Sequence, residues 1–261
     1  MIFVLDAGNS NIKCGLFRDG KLINSWRMST DLDRTADEYG IQVMAFLNHG
    51  HHKAQDVEGV IIASVIPSLN YTLQHMCSIY FKKTAMFVGP GIKTGINIKY
   101  DNPKELGADR IVTAIAAYTL YGGPCIIVDF GTATTFGVVS EDGDFLGGAI
   151  CPGLRISTDA LTKSAAKLPK VELIKPESVI GTNTVTGMQA GIIHGYVGQV
   201  DYIVRKLKSE TGGGPKVIAT GGLARLIAQE TEVIDEVNSV LTLIGLDIVY
   251  RRNVKPKKEG A

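Results

Sequence analysis

The 261-residue chain carries 27 Lys and Arg against 26 Asp and Glu, and this near-neutral balance argues against nucleic acid or another polyanionic surface as the main partner. With 45% hydrophobic and 20% charged residues it is a well-filled globular protein long enough for two domains, and no apolar run approaches the ~20 residues that a membrane helix needs. The N-terminus begins directly in an apolar strand rather than in a basic-then-apolar leader, which predicts a cytoplasmic protein with no membrane partner.

In Ile2 to Lys13, IFVLDAGNSNIK, four apolar residues run into Asp6 and then into the small or turn-forming Ala7, Gly8, Asn9 and Ser10. This predicts a buried strand followed by a tight turn. A carboxylate at a strand end, then a glycine with no Cβ to block close approach, suits a polyanion held beside a metal ion. Lys13 supplies positive charge. An ordinary hairpin remains the alternative on this stretch alone.

Ile23 to Met28 reads as a further strand, and Asp31 to Thr35 as a polar loop. Asp37 to Leu47 reads as an amphipathic helix with Ile41, Met44, Ala45 and Leu47 on its inner side, stopped at Gly50. His49, His51 and His52 fall where a solvated loop is expected rather than a metal site. Gly59 to Ile66 reads as a buried parallel strand, and Ser68 as the cap of a helix running to Phe81. Ala85 to Val88 is a short strand leading to Gly89–Gly95. That run is not a P-loop, because Ile92 separates Gly91 from Lys93 and the spacing that wraps a phosphate is missing. We read it as a connecting loop.

A helix is predicted from near Gly107 through Leu120, with Asp109 and Arg110 in its first turn. The helix dipole favours a charged carboxylate there, available as a proton acceptor, although an N-terminal helix acid is also common for structural reasons alone. Gly122, Gly123 and Pro124 end the helix, and the expected domain boundary lies between 122 and 123.

At Ile126 the first motif returns. IIVDFGTATTFGVVSEDGDF lies under FVLDAGNSNIKCGLFRDGKL without a gap, placing Asp129 under Asp6, Gly131 under Gly8 and Asp142-Gly143 under Asp19-Gly20. In both copies a strand ends in Asp-x-Gly, a second strand follows, and an Asp-Gly pair closes the next hairpin. The duplication predicts two similar domains with nucleotide in the cleft between them.

Beyond the echo, Gly147 to Leu154 reads as a glycine-rich strand end and turn, and Thr158 to Lys167 as a short helix stopped at Pro169. A loop from Lys170 to Gly181 leads to Asn183 and Thr184, either of which suits the cap of a long helix. In it Val185, Met188, Ile192, Tyr196, Val200, Ile203 and Leu207 recur at helical spacing, as a core or subunit-contact stripe. Val217 to Ala219 is a strand ending in Thr220-Gly221-Gly222, Leu241 to Tyr250 a closing helix, and Lys255 to Ala261 a frayed tail. Cys14, Cys77, Cys125 and Cys151 are scattered through apolar segments and read as reduced packing residues.

Together the two Asp-x-Gly hairpins and the late Thr-Gly-Gly strand end resemble the actin, hexokinase and Hsp70 superfamily. The resemblance implies an α/β fold of two duplicated ribonuclease-H-like, actin-like ATPase domains, here 1–122 and 123–261, with an interdomain nucleotide cleft. Within that superfamily DAGNSNIK, GADR after Tyr100 and Pro103, DFGTATT and GGAICPG, in that order, resemble type III pantothenate kinase over essentially the whole chain.

The resemblance implies that Asp6, Ala7, Gly8, Asn9, Ser10, Asn11 and Lys13 form the first ATP phosphate loop, with Thr132 contacting ATP from the second. Asp6 would orient hydrated magnesium, and Asp129 would help bind a monovalent cation, potassium or ammonium. Tyr100, Gly107, Ala108, Asp109, Arg110 and Thr184 would hold pantothenate, with Asp109 as the base. It also implies a homodimer. Alternatives on the same fold are an accessory protein similar to the Bvg accessory factors, or a kinase for another small alcohol such as a sugar. A chaperone-like ATPase needs insertions for which 261 residues leave no room.

Overall fold

Ile2–Ala7 (β1) is buried along its whole length because it is an interior strand on both sides. It pairs antiparallel with Asn11–Arg18 (β2) and parallel with Gly59–Ser64 (β4). Lys21–Ser29 (β3) and Met86–Phe87 (β5) complete a five-stranded sheet of order β3-β2-β1-β4-β5. The structure, a computed structural model, describes residues 1–254, so the tail from Lys255 lies outside the described residues.

The echo repeats this architecture strand for strand. Cys125–Phe130 (β7), Ala133–Val139 (β8), Asp144–Pro152 (β9), Lys216–Gly221 (β10) and Glu236–Val237 (β11) form a second sheet. Its order β11-β10-β7-β8-β9-β6 is the order of the first sheet with one added edge strand, Asn97–Ile98 (β6). This is the duplicated α/β fold that the resemblance implied.

The ungapped alignment is off by one residue at the second turn. Asp6 faces Lys13, whereas Asp129 faces Thr135 and not Phe136, because the second turn is one residue shorter. The shift places the Phe136 ring in the core, fully buried. At the far hairpins Asp19 and Gly20 both have positive φ (51° and 79°), as the tight two-residue turn requires, while in the second copy Gly143 takes the positive φ (84°).

Helices Ala36–His49 (α1) and Pro67–Met76 (α2) cover one face of the first sheet. The inner side of α1 is Tyr39, Gly40, Val43 and Leu47, and Ile41, expected inside, is 64% exposed. Tyr39 wins the core position because its hydroxyl is satisfied there, donating to the Asp31 carbonyl (2.7 Å) and accepting from the Asp31 N–H (2.9 Å). Gly40 lies under the Tyr80 ring, where a Cβ would come within 2.1 Å. Each such buried side chain contributes about 1.5–3 kcal/mol, more than the ~1 kcal/mol of the Thr35–Glu38 capping box that starts the helix.

Ser68 is not the cap of α2. Pro67 occupies the first turn, Ile66 stands at the cap position without a side-chain bond, and the Ser64 hydroxyl accepts the Ile66 N–H instead (3.1 Å). The helix then widens into a π turn at Cys77–Phe81 and stops at left-handed Lys82.

Ala108–Tyr121 (α3), Leu154–Ser164 (α4), Thr184–Thr211 (α5), Ala224–Ala228 (α6) and Leu241–Asn253 (α7) complete the chain. Asn183, not Thr184, caps α5, accepting the Thr186 N–H (3.0 Å). The stripe along α5 is buried at Met188, Tyr196 and Val200, but Val185 is exposed. Burial pushes the thiols of Cys14, Cys77 and Cys125 well above their ordinary pKa, as befits packing residues.

The chain divides into two compact units that do not follow the 122/123 boundary. One contains Met1–Gly95, Asp101–Ala116 and the described residues from Leu241; the other contains Ile96–Tyr100 and Ala117–Val240. The last helix returns to the first unit because Leu241, Leu243, Leu246 and Val249 are buried there and α7 packs on β1 and β4. It also crosses the start of α3, with Gly245 against the Val112 carbonyl.

Candidate active site

β1 delivers Asp6 to its end as a nearly buried carboxylate, 6% exposed, and the antiparallel register sets Lys13 directly across from it. Lys13 Nζ lies 3.4 Å from Asp6 Oδ2. The turn between them is held from within and from outside. Gly8 N–H donates to the Asn11 carbonyl (3.1 Å), and Thr30 takes hold of the outer side, its hydroxyl on the Gly8 carbonyl (2.6 Å) and its N–H on the Ser10 carbonyl (3.2 Å). Asn9, Ser10 and Asn11 are exposed at the tip.

The second turn has the same construction. Gly131 N–H donates to the Ala133 carbonyl (3.1 Å), and Gly153 N–H to the Thr132 carbonyl (3.1 Å). Gly153 stands where Thr30 stands in the first copy, directly after the third strand. A Cβ on it would meet the Thr132 carbonyl oxygen at 2.1 Å, so the glycine is what lets this segment back the turn.

Asp129 sits between Thr135 on one neighbouring strand and Thr220 on the other. Its Oδ1 and the Phe130 carbonyl oxygen each lie 2.6 Å from the point a Cβ on Gly221 would occupy, and Gly221 has φ +95°. Only a glycine fits so close to these atoms, and the Asp129 carboxylate and Phe130 carbonyl are oxygen donors of the kind a hard cation takes. Among the described residues no group of three or more His, Cys, Asp and Glu could hold a metal ion, so a dedicated all-side-chain cage is not what this set offers. Asp6 likewise fits an ion that keeps its waters and takes few direct carboxylates, such as magnesium.

Asp109 lies in the first turn of α3, half-buried with Gly107, Ala108 and Arg110. Its Oδ1 accepts the Arg110 N–H (2.8 Å) and stands 2.5 Å from where a Gly107 Cβ would be, so Gly107 makes room for the carboxylate. The Thr113 hydroxyl donates to the Asp109 carbonyl (2.6 Å) and lies 3.2 Å from the Thr242 hydroxyl. Since Thr113 spends its proton on Asp109, Thr242 is the donor in that second bond.

Of the residues expected to bind one acceptor, Gly107, Ala108, Asp109 and Arg110 are contiguous in the first unit. Tyr100 and Thr184 belong to the second. Tyr100 is half-buried, its ring tilted against Phe145 (centroids 6.2 Å apart) and 3.8 Å from the Cβ point of Gly147. Thr184 is exposed in the first turn of α5. The sequence reading missed Thr30 and the backing role of Gly153, and only the echo, which aligns the two, held a signal for them.

A family model described as Type III pantothenate kinase matches residues 2–206. The chain belongs to the type III pantothenate kinase family. It is therefore a kinase. Several solved structures share its fold. A Sinorhizobium meliloti protein described as a 2-dehydro-3-deoxygalactonokinase is 12% identical with a TM-score of 0.60, covering 100% of this chain and 99% of its own. A Campylobacter jejuni protein assigned to the Baf family of transcriptional activators is 19% identical with a TM-score of 0.58, covering 96% and 98%. Component A of (R)-2-hydroxyglutaryl-CoA dehydratase from Acidaminococcus fermentans is 15% identical with a TM-score of 0.57, covering 98% and 100%. At these identities the likeness is one of fold, which unrelated activities share. Among the described residues no helix is long and apolar enough to cross a membrane.

Proposed function

We propose that this kinase transfers the γ-phosphoryl group of ATP to the primary alcohol of pantothenate, giving 4′-phosphopantothenate in the first step of coenzyme A biosynthesis in the cytoplasm. The observation that carries this reading is the Asp109 carboxylate, set over Gly107 at the start of α3 inside the family's GADR motif. Phosphoryl transfer is mostly positioning and charge neutralisation, so the protein must supply amide cradles, cations and an acceptor for the hydroxyl proton. The turns at Gly8 and Gly131 are the proposed cradles, with Thr132 on the nucleotide and Lys13 adding positive charge. Magnesium, when bound near Asp6, neutralises charge on the transferred group.

In the proposed reaction the pantothenate oxygen bonds to the γ-phosphorus as the bond from that phosphorus to the β–γ bridging oxygen breaks. The alcohol proton passes to Asp109. Arg110 and Tyr100 orient the acceptor through their polar groups. Mass spectrometry of reactions containing pantothenate or a set of sugars tests the substrate. The expected result is one added phosphate on pantothenate alone; phosphorylated sugar with unchanged pantothenate would turn the reading to another alcohol.

A monovalent cation is proposed at Asp129, whose carboxylate is an oxygen donor of the kind such an ion takes. Turnover is expected to require potassium or ammonium and to fall steeply when sodium replaces them. Full activity in a sodium-only buffer would count against the site.

We also propose a homodimer. The face of α5 that carries Gly187, Gly191, Gly195 and Gly198 is exposed, with open space around all four. Each glycine weakens a helix by roughly 0.5–1 kcal/mol relative to alanine, a cost that close approach of a second backbone accounts for. Leu146, Ile150, Val179 and Ile180 are also exposed in the same unit.

A further inference from the structure

The last helix lies beyond the residues that the family model matches, yet it touches the acceptor-binding elements at both of its ends. At its start, the buried Thr242 hydroxyl supports Thr113, which holds the Asp109 carbonyl, and Gly245 abuts the Val112 carbonyl. At its end, Arg252 and Asn253 grip the backbone of the loop that leads to Tyr100. Asn253 Oδ1 accepts the Lys93 N–H (2.9 Å), and its Nδ2 donates both to the Lys93 carbonyl (3.0 Å) and to the Val249 carbonyl of its own helix (2.8 Å). Arg252 donates to the Thr94 carbonyl. Gly95, at φ +76°, leaves the room: a Cβ there would stand 1.8 Å from the Arg252 guanidinium.

We propose that α7 positions the acceptor half of the site, with Asn253 as the positioning residue for the segment that carries Tyr100. The proposal rests on the pantothenate reading above. Three of the four hydrogen bonds open to the Asn253 amide are made, and together they fix its orientation, so it presents a donor and an acceptor side by side to the C=O and N–H of one loop residue, Lys93. That pairing imitates a strand partner. The loop needs one, because Gly89, Gly91 and Gly95 leave its backbone free to move, and the strand that follows pairs over only two residues, Asn97 and Ile98. Tyr100 stands two residues past that strand. Loss of the grip at Lys93 therefore loosens the chain just before the residue that meets the acceptor, while the ATP turns, built on other strands, are untouched.

The test compares Asn253→Ala and Asn253→Asp with the wild-type kinase. Asp keeps the shape and an oxygen for the Lys93 N–H but loses both donors and turns a carboxylate toward the Lys93 carbonyl. Both variants are expected to raise KM for pantothenate about tenfold, with kcat and KM for ATP within about twofold of wild type. Hydrogen exchange of the amides from Lys93 to Tyr100 should quicken in both while that of α3 stays as in the wild type. Equal losses in all three kinetic constants, or unchanged exchange over that segment, would overturn the proposal. If the wild-type protein does not phosphorylate pantothenate, the substrate reading fails by itself. The grip is then judged on exchange alone, where faster exchange supports it and unchanged exchange overturns it.

Discussion

Replacing Asp109 by Asn is expected to lower turnover by a factor on the order of a hundred or more, while the protein stays folded and still binds pantothenate. The geometry separates the two effects. The fixed contacts of Asp109 are the Arg110 N–H on Oδ1 and the Thr113 hydroxyl on its backbone carbonyl. An amide oxygen can accept the first, and the second does not involve the side chain, so Asn keeps the local fold. What it loses is a carboxylate able to take the alcohol proton. The check is kcat at saturating substrates beside calorimetric binding of pantothenate. Turnover close to wild type would remove Asp109 from the base role, and loss of binding with loss of fold would mean that its contribution is structural.

The largest expected effect on stability comes from Gly245→Ala. In an open helix this change is favourable by about 1 kcal/mol, since glycine is a poor helix former. Here the added methyl would stand 1.9 Å from the Val112 carbonyl oxygen and 2.6 Å from its carbon. Val112 is fully buried, and the atoms met are backbone, so no side chain can swing away. α7 must therefore separate from α3, at an overpacking cost of about 1–3 kcal/mol or more that outweighs the propensity gain. Opening this crossing also disturbs the Thr242–Thr113 contact beneath Asp109. The expected result is a lower urea midpoint by equilibrium unfolding; a midpoint at or above that of the wild type would show that the helices can part without loss.

Much of this architecture is legible in the sequence because its signals are local. Asp-x-Gly at a strand end and Asp-Gly at a hairpin tip act within a few residues, so the duplication of Asp6 in Asp129 foretells two sheets with the same strand order. The features that escape are those decided by distant parts of the chain. Thr30 matters only because β3 returns beside the Gly8 turn, and the inner face of α1 is set by a Tyr39 hydroxyl that finds Asp31. The place of α7 depends on which sheet leaves room for Leu241, Leu243 and Leu246, which no stretch of 13 residues can reveal. The same holds for the register at Asp129, where a turn one residue shorter exchanges Phe136 for Thr135 while the surrounding letters still align.

The most direct measurement is ADP release by the purified protein with ATP, magnesium and potassium, in the presence and absence of pantothenate. Release that depends on pantothenate, and is lost in Asp109→Asn, is the expected result. Release indifferent to pantothenate, or none at all from a folded protein, would contradict a pantothenate kinase built around Asp109.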